Sequence, residues 1–330
     1  MKKSAIFLVF AILALAIFIF IPKNREHSLY IQDALGTVSE IRIYHKNDAP
    51  LKECGEFIYK MDRLLSVTRP DSEISRLNSG EEMILNYETE QIIKKAEELA
   101  DPLVFNPFCG ELIEIWDKAR IEKTPPASDA ILKAIEGAYP PNIQVENGRW
   151  SLKGQKVNTG GIAKGYILDG ISKILEKNKV KSALIYLGGS VYAKGNNPDG
   201  NPWRIGIRNP ERETSYMGVI SVSDLTVTTS GDYERYFESN GKKYHHILDL
   251  ATGYPAESGL RSVTIISKDS ILGDYLSTKC FILGLDKSKE IIKESDVLAI
   301  FITDDKKVFY SKELDGNFNG IDAEYSYETF

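Results

Sequence analysis

The 330-residue chain is 42% hydrophobic and 27% charged, with a formal net charge of −6. Such values describe an ordinary folded protein, and without a basic stripe they argue against a nucleic-acid partner. Cys54, Cys109 and Cys280 are scattered. They match no metal-ligand spacing, and Cys54 and Cys280 lie in apolar helical patterns, so buried thiols are expected rather than a disulfide framework.

Met1-Lys2-Lys3-Ser4 precedes seventeen uncharged, apolar residues, Ala5 to Ile21, followed by Pro22-Lys23-Asn24-Arg25. That length is at the short end of a bilayer span and longer than an ordinary signal-peptide core. Ala14-Leu15-Ala16 could be cleaved, but it lies inside the apolar run. An uncleaved membrane anchor over residues 1–22 is therefore favoured over a cleaved signal peptide. Either way the bulk of the protein is expected to be extracytoplasmic. About 300 residues remain, enough for one large domain or two small ones.

Val38, Ile41 and Ile43 suggest a first strand. Leu51, Cys54, Ile58, Met61 and Leu65 then form a helical stripe. Ser72 is placed to cap a short turn over Glu73–Asn78. A helix over Glu88–Ala100 leads into an irregular loop, Val104 to Gly110, and an apolar stretch ending at Trp116. Ser128–Ala138 reads as a helix, and Asn147-Gly148 joins a hairpin of Ile143–Val145 and Trp150–Leu152.

The run Asn158-Thr159-Gly160-Gly161-Ile162-Ala163-Lys164-Gly165 opens a helical segment whose apolar residues are Ile167, Ile171, Ile174 and Leu175. Free N–H groups at a helix start, glycines that allow close approach and a lysine together suggest an anion site, with phosphate the expected anion. The plainer alternative is a strand-to-helix turn with a solvated lysine. The run is neither a P-loop nor a dinucleotide fingerprint.

Strands follow at Ala183–Leu187, Val191–Ala193, Trp203–Ile207, Val219–Val222 and Thr226–Thr229. Phe237 to Ile247 forms a hairpin about Asn240-Gly241, and within it His245 and His246 should face opposite ways. Ser262–Ile266 is a strand and Ile271–Leu283 a helix closed by Gly284. The whole is read as one α+β domain.

Asp274 and Thr278 share one face of that last helix. Local capping and back-bonding to a carbonyl would explain them. So would a hard cation such as Mg²⁺, which takes carboxylate, hydroxyl and carbonyl oxygens together with substrate phosphates.

Together these segments resemble the ApbE-type FAD:protein FMN transferases. The resemblance runs through Ala34-Leu35-Gly36-Thr37, Asp71 to Asn78, Phe105-Asn106-Pro107 with Gly110, Gly160 to Tyr166, and Leu187-Gly188-Gly189. It continues through Trp203 to Ile207, Thr229-Ser230-Gly231-Asp232-Tyr233, His246-Ile247-Leu248-Asp249, Thr252-Gly253-Tyr254-Pro255, and Asp274 with Leu276-Ser277-Thr278. It implies a single T-fold-like α+β domain over residues 27–330, with mixed and antiparallel sheets and packed helices.

By that resemblance the protein splits FAD, esterifies FMN to a Thr or Ser hydroxyl of an acceptor flavoprotein, and releases AMP. Such an acceptor is typically a subunit of a membrane redox complex or another extracytoplasmic flavoprotein. The Mg²⁺ ligands would be the Gly161 carbonyl, Asp274 and Thr278. FAD contacts would fall at Leu35, Thr68, Val104, Phe105, Asn106, Asn158, Lys164 and Leu248. His246 matches the required histidine, either as the base for the attacking hydroxyl or as a residue that orients the phosphate.

Thr68 stands where an aromatic residue is common, and Asn106 and Asn158 where an aspartate is common, so altered FAD affinity is expected. The competing activities are FAD pyrophosphatase, with water as the nucleophile, and non-catalytic flavin binding.

Overall fold

The computed structural model describes residues 24–330. The expected anchor therefore lies outside the described residues. Among those described, no helix is long and apolar enough to cross a membrane.

Strand β1 (Arg25–Ala34) is missing from the sequence reading, because its burial alternates from Glu26 to Gln32 but its residue character does not, polar His27 facing inward and Tyr30 outward. It pairs antiparallel with β2 (Thr37–His45). Helices α1 (Ala49–Leu65), α2 (Glu73–Asn78) and α3 (Tyr87–Leu99) follow. Ser72 caps α2 as expected, its side chain accepting from Ser75 N–H at 3.0 Å. The apolar stretch after Gly110 runs past Trp116 to form α4 (Gly110–Glu122), and α5 (Ser128–Glu136) packs beside it.

The hairpin β3 (Ile143–Glu146) and β4 (Arg149–Leu152) turns through Asn147 and Gly148, both at positive φ. Next come α6 (Ala163–Lys177), β5 (Ala183–Leu187), β6 (Ser190–Lys194), β7 (Trp203–Arg208), β8 (Tyr216–Val222) and β9 (Leu225–Gly231). Hairpin β10 (Tyr236–Ser239) and β11 (Lys242–His245) is followed by the two-residue pair β12 (Leu248–Asp249) and β13 (Tyr254–Pro255). Strand β14 (Leu260–Ser267), helices α7 (Ser270–Leu283) and α8 (Leu285–Lys293), and strands β15 (Leu298–Thr303), β16 (Lys307–Tyr310), β17 (Phe318–Gly320) and β18 (Ser326–Thr329) complete the chain.

Nine strands form one sheet in the order β1-β2-β5-β6-β9-β14-β15-β16-β18. All its neighbours pair antiparallel except β16 and β18, so the sheet is mixed. Alternation along β14 and β15 sends Val263, Ile265, Ala299 and Phe301 into one apolar core. Ile266, Ile300 and Ile302 go into another. The first core lies under α1, α6 and α7, whereas the second lies under the small sheet β17-β8-β7. A strand buried on both faces reads as a continuous apolar run, as Leu298–Ile302 does.

A third cluster joins α4 and α5 to the β10–β11 hairpin. Phe237 stacks on Tyr244 at 5.1 Å and Tyr244 on Trp116 at 5.7 Å. Trp116 Nε1 donates to the Gly253 carbonyl at 2.8 Å. This aromatic stack holds the histidine-bearing hairpin against the helices. The three cysteines are free and buried.

Candidate active site

The site is built around the start of α6 and the middle of α7. Gly165 is where the two helices come closest. A Cβ there would lie 2.3 Å from the Ser270 carbonyl oxygen, so only glycine permits this approach. The closeness puts the Gly165 N–H on Asp274 Oδ2 at 3.1 Å and the Lys164 ammonium on Asp274 Oδ1 at 3.1 Å. Lys164 Nζ also lies 3.4 Å from the Gly160 carbonyl oxygen.

Asp274 is 2% exposed, and a buried carboxylate is costly unless it is paired. Its partners come from the glycine run rather than from its own helix. Ser277, not Thr278, bonds back to the Asp274 carbonyl, at 2.8 Å. Thr278 Oγ1 lies 3.3 Å from Ser230 Oγ on β9, which is a second route into the site.

Gly161 faces Phe105. A Cβ at Gly161 would meet the Phe105 ring at 2.7 Å, and that ring stands edge-on to Tyr275 at 4.9 Å. The Phe105 loop is shaped locally, for Asp101 Oδ1 accepts the N–H groups of Leu103 and Val104, each at 2.9 Å. Asn106 is buried with both ends of its carboxamide engaged. Oδ1 accepts from Phe108 N–H at 2.9 Å, and Nδ2 donates to the Ala138 carbonyl at 2.8 Å. A ligand there would therefore meet the backbone of this loop, not the Asn106 side chain.

Asn158 Oδ1 accepts from Gly160 N–H at 2.9 Å, shaping the glycine turn from within. Just before it, Asn78 clamps Val157, donating to its carbonyl at 2.9 Å and accepting from its N–H at 2.8 Å. Asn158, Asn78 and the exposed Thr68 line an open cleft of about 480 Å³ between α2, α4 and the glycine run.

Leu35 has a left-handed backbone, φ 58°, at the β1–β2 turn. Its N–H is held by the buried Asp62 at 2.7 Å, and Arg69 faces that carboxylate at 3.6 Å.

Strand β11 ends at His245, so His246 lies just beyond the ladder. The separation expected of the pair is incomplete, for both histidines border one recess. His245 is buried, with Nε2 3.1 Å from the Ala256 carbonyl oxygen, whereas His246 opens into that recess, shared with Leu248, Arg235, Arg120 and Trp116. His246 is an exposed residue, and partial desolvation of its ring, with the positive charges of Arg235, His245 and Lys164 adding, lowers its pKa. Its imidazole is thus neutral at pH 7, and its accessible face points into the recess. Ile113 and Asp117 on α4 line both the recess and the cleft, so the two adjoin.

The structure therefore gathers Gly161, Phe105, Lys164, Asp274 and Thr278 at the α6–α7 contact. Asn158 and Thr68 lie along the cleft, and His246 and Leu248 in the recess. Sequence reasoning overlooked Asp62, Asn78, Ser230 and Arg235. Asn78 and Ser230 stand inside segments already singled out, but nothing in their spacing reveals a bond to a distant backbone or helix.

The N–H groups of Gly160, Ile162, Ala163 and Gly165 are already taken by Asn158, Thr159 and Asp274, so the chemistry offered to a polyanion is that of hard oxygen donors beside a lysine, with an imidazole nearby.

The ApbE family model matches residues 35–302. A FAD:protein FMN transferase of Klebsiella pneumoniae (strain 342) is 30% identical over 313 residues, covering 92% of this chain and 97% of that protein. One from Treponema pallidum (strain Nichols) is 30% identical over 323 residues, covering 89% of each. The crystal structure of the ApbE protein from Thermotoga maritima MSB8 superposes with a TM-score of 0.79 at 28% identity, covering 89% of this chain and 99% of that one. A match running from Leu35 to Ile302 takes in the glycine turn, the His246 hairpin and Asp274, and by it the chain belongs to the ApbE family.

Proposed function

We propose that this protein is a FAD:protein FMN transferase, moving FMN from FAD to a Thr or Ser hydroxyl of an acceptor flavoprotein and releasing AMP. The observation that carries this reading is the convergence of Lys164 and Gly165 on buried Asp274, beside an open cleft and a neutral histidine. Relatives of near-equal length bear that activity as their name.

The residues at the α6–α7 contact fit Mg²⁺. Asp274 is buried and already neutralised by a cation, the Lys164 ammonium. Its carboxylate, the Thr278 hydroxyl and the Gly161 carbonyl would be the protein ligands, a hard-oxygen set of the kind Mg²⁺ takes together with phosphate oxygens and water. When bound, Mg²⁺ supplies charge neutralisation across the pyrophosphate. Lys164 adds positive potential where negative charge develops.

His246 takes the proton of the attacking hydroxyl, a role open to it because the ring is neutral and faces the recess. Leu35, Val104, Phe105, Asn106 and Asn158 border the flavin nucleotide. Thr68 stands on the rim of the cleft and Leu248 on the floor of the recess. The aromatic stack under β10–β11 keeps His246 in place while the acceptor docks.

The apolar run Ala5–Ile21 behind Lys2 and Lys3 supports a membrane anchor with the catalytic domain on the extracytoplasmic side, where a redox-complex subunit would be within reach.

The test is mass spectrometry of a candidate acceptor incubated with the protein, FAD and Mg²⁺. An FMN-sized adduct on a Thr or Ser, with equimolar AMP, is expected. Free FMN and AMP with no adduct would make the protein an FAD pyrophosphatase, and no turnover with intact FAD binding would make it a flavin-binding protein.

A further inference from the structure

Arg235 is a cation left over. It lies one residue before β10, and since Tyr236 pairs with His245, the ladder sets Arg235 opposite His246. Its carboxylate neighbours are occupied. Glu234 faces Arg208 at 3.4 Å, and Asp232 faces Arg261 at 2.9 Å and Lys243 at 3.2 Å. Asp117, which also lines the recess, lies 3.3 Å from Arg120.

Among the described residues the exposed guanidinium of Arg235 pairs with no carboxylate. Its hydrogen bond goes from Nη2 to the Gly36 carbonyl at 3.2 Å, which ties it to the left-handed Leu35-Gly36 turn. It lines the recess with His246 and Leu248. Lys164 and Arg235 both act on the His246 ring, so the imidazole lies in the field of two cations. A neutral base with an unpaired guanidinium fork at its side suits a tetrahedral anion, because the fork can give two parallel N–H bonds.

We propose that Arg235 is a catalytic residue of the transfer, its guanidinium taking two non-bridging oxygens of the FMN-side phosphate next to His246. The proposal rests on the FMN-transferase reading. In the step it serves, a bond forms between the acceptor hydroxyl oxygen and the FMN-side phosphorus. The bond from that phosphorus to the bridging oxygen breaks, and AMP leaves with its electron pair. The hydroxyl proton passes to His246 and then to solvent. Arg235 holds the two oxygens on which charge is spread.

The experiment compares wild type, Arg235→Met and Arg235→Lys for binding of FMN and of riboflavin in Mg²⁺ buffer, by flavin fluorescence. Methionine should weaken FMN binding roughly 10- to 100-fold and leave riboflavin unchanged. Lysine should fall between, keeping the charge but not the fork. Equal losses for FMN and riboflavin would reduce Arg235 to a prop for the Leu35-Gly36 turn and overturn the proposal. Unchanged FMN affinity would also overturn it, and a raised KM for the acceptor alone would then assign Arg235 to the acceptor. Should Arg235→Met fail to fold, Arg235→Lys still separates the two flavins. Wild type that binds neither FAD nor FMN would instead defeat the transferase reading itself.

Discussion

The ammonium of Lys164 and the carboxylate of Asp274 stand 3.1 Å apart, the carboxylate buried and the lysine about one quarter exposed. The pair joins the two halves of the site in the absence of any metal. On the proposed reading, a divalent cation at Asp274 would compete with Lys164 for the carboxylate, and the ammonium would then be free for a phosphate.

Asp274→Asn should remove the Mg²⁺ dependence of turnover together with nearly all activity. It leaves Lys164 partly buried and unpaired, so a stability loss of about 1–3 kcal/mol is expected. Lys164→Met should do the opposite to the metal, tightening Mg²⁺ binding while lowering kcat/KM for FAD about tenfold or more. Calorimetric titration of Mg²⁺ into the three proteins reads both effects. Equal Mg²⁺ affinity in wild type and Asp274→Asn would remove Asp274 from the metal site.

His246→Ala should cut transfer by roughly 10²- to 10⁴-fold while FAD binding persists. Because the folded pKa is lowered, the acid limb of kcat/KM should fall below pH 6.5 rather than at it. A limb at about pH 6.5 that vanishes in His246→Gln would contradict the neutral-base assignment.

The same shift bears on stability. His245 and His246 both have lowered folded-state pKa values, burial being the largest cause in each. An unfolded histidine takes up a proton near pH 6.5, so below that pH the unfolded chain binds more protons than the native one. Stability should therefore fall as pH drops from about 6.5 toward 3, and denaturant midpoints should fall less steeply in His246→Gln.

Thr68→Tyr should tighten FAD binding about 3- to 10-fold. Thr68 is exposed on the rim of the 480 Å³ cleft, and an aromatic ring there would offer a stacking surface to a base or isoalloxazine. Fluorescence titration with FAD is the measurement, and an unchanged Kd would place the ring system elsewhere.

Much of this architecture is legible in the sequence where a local rule operates. The stripe through Leu51, Ile58 and Leu65 marks α1, Ser72 marks the cap of α2, and Asn147-Gly148 marks a hairpin. Asp274 and Thr278 stand out because they break an otherwise apolar helix. The partner of Asp274 does not, since only the close approach at Gly165 brings α6 to α7. Strand β1 alternates in burial, but polar His27 on its inner face and Tyr30 on its outer face hide that period in the sequence. Arg235 reads as one more surface charge until the ion pairs of Glu234 and Asp232 are known.

Gly165→Ala tests the helix contact directly. A methyl group 2.3 Å from a backbone oxygen has no side chain to push aside, so the helices must separate. A loss of at least about 1–3 kcal/mol and reduced Mg²⁺ affinity are expected from denaturant melts and titration. Gly161→Ala meets only the Phe105 ring and should cost less.

That contact at Gly165 also divides the molecule by tolerance to change. The glycine turn and the carboxylate belong to two helices packed backbone to backbone, whereas Thr68, Leu35, Val104 and Arg235 lie on loops and turns around them. Exchange of the Thr68, Leu35 and Val104 loops between relatives should therefore transplant flavin affinity without disturbing the α6–α7 contact, whereas exchange of the Arg235 turn should also change the rate of transfer.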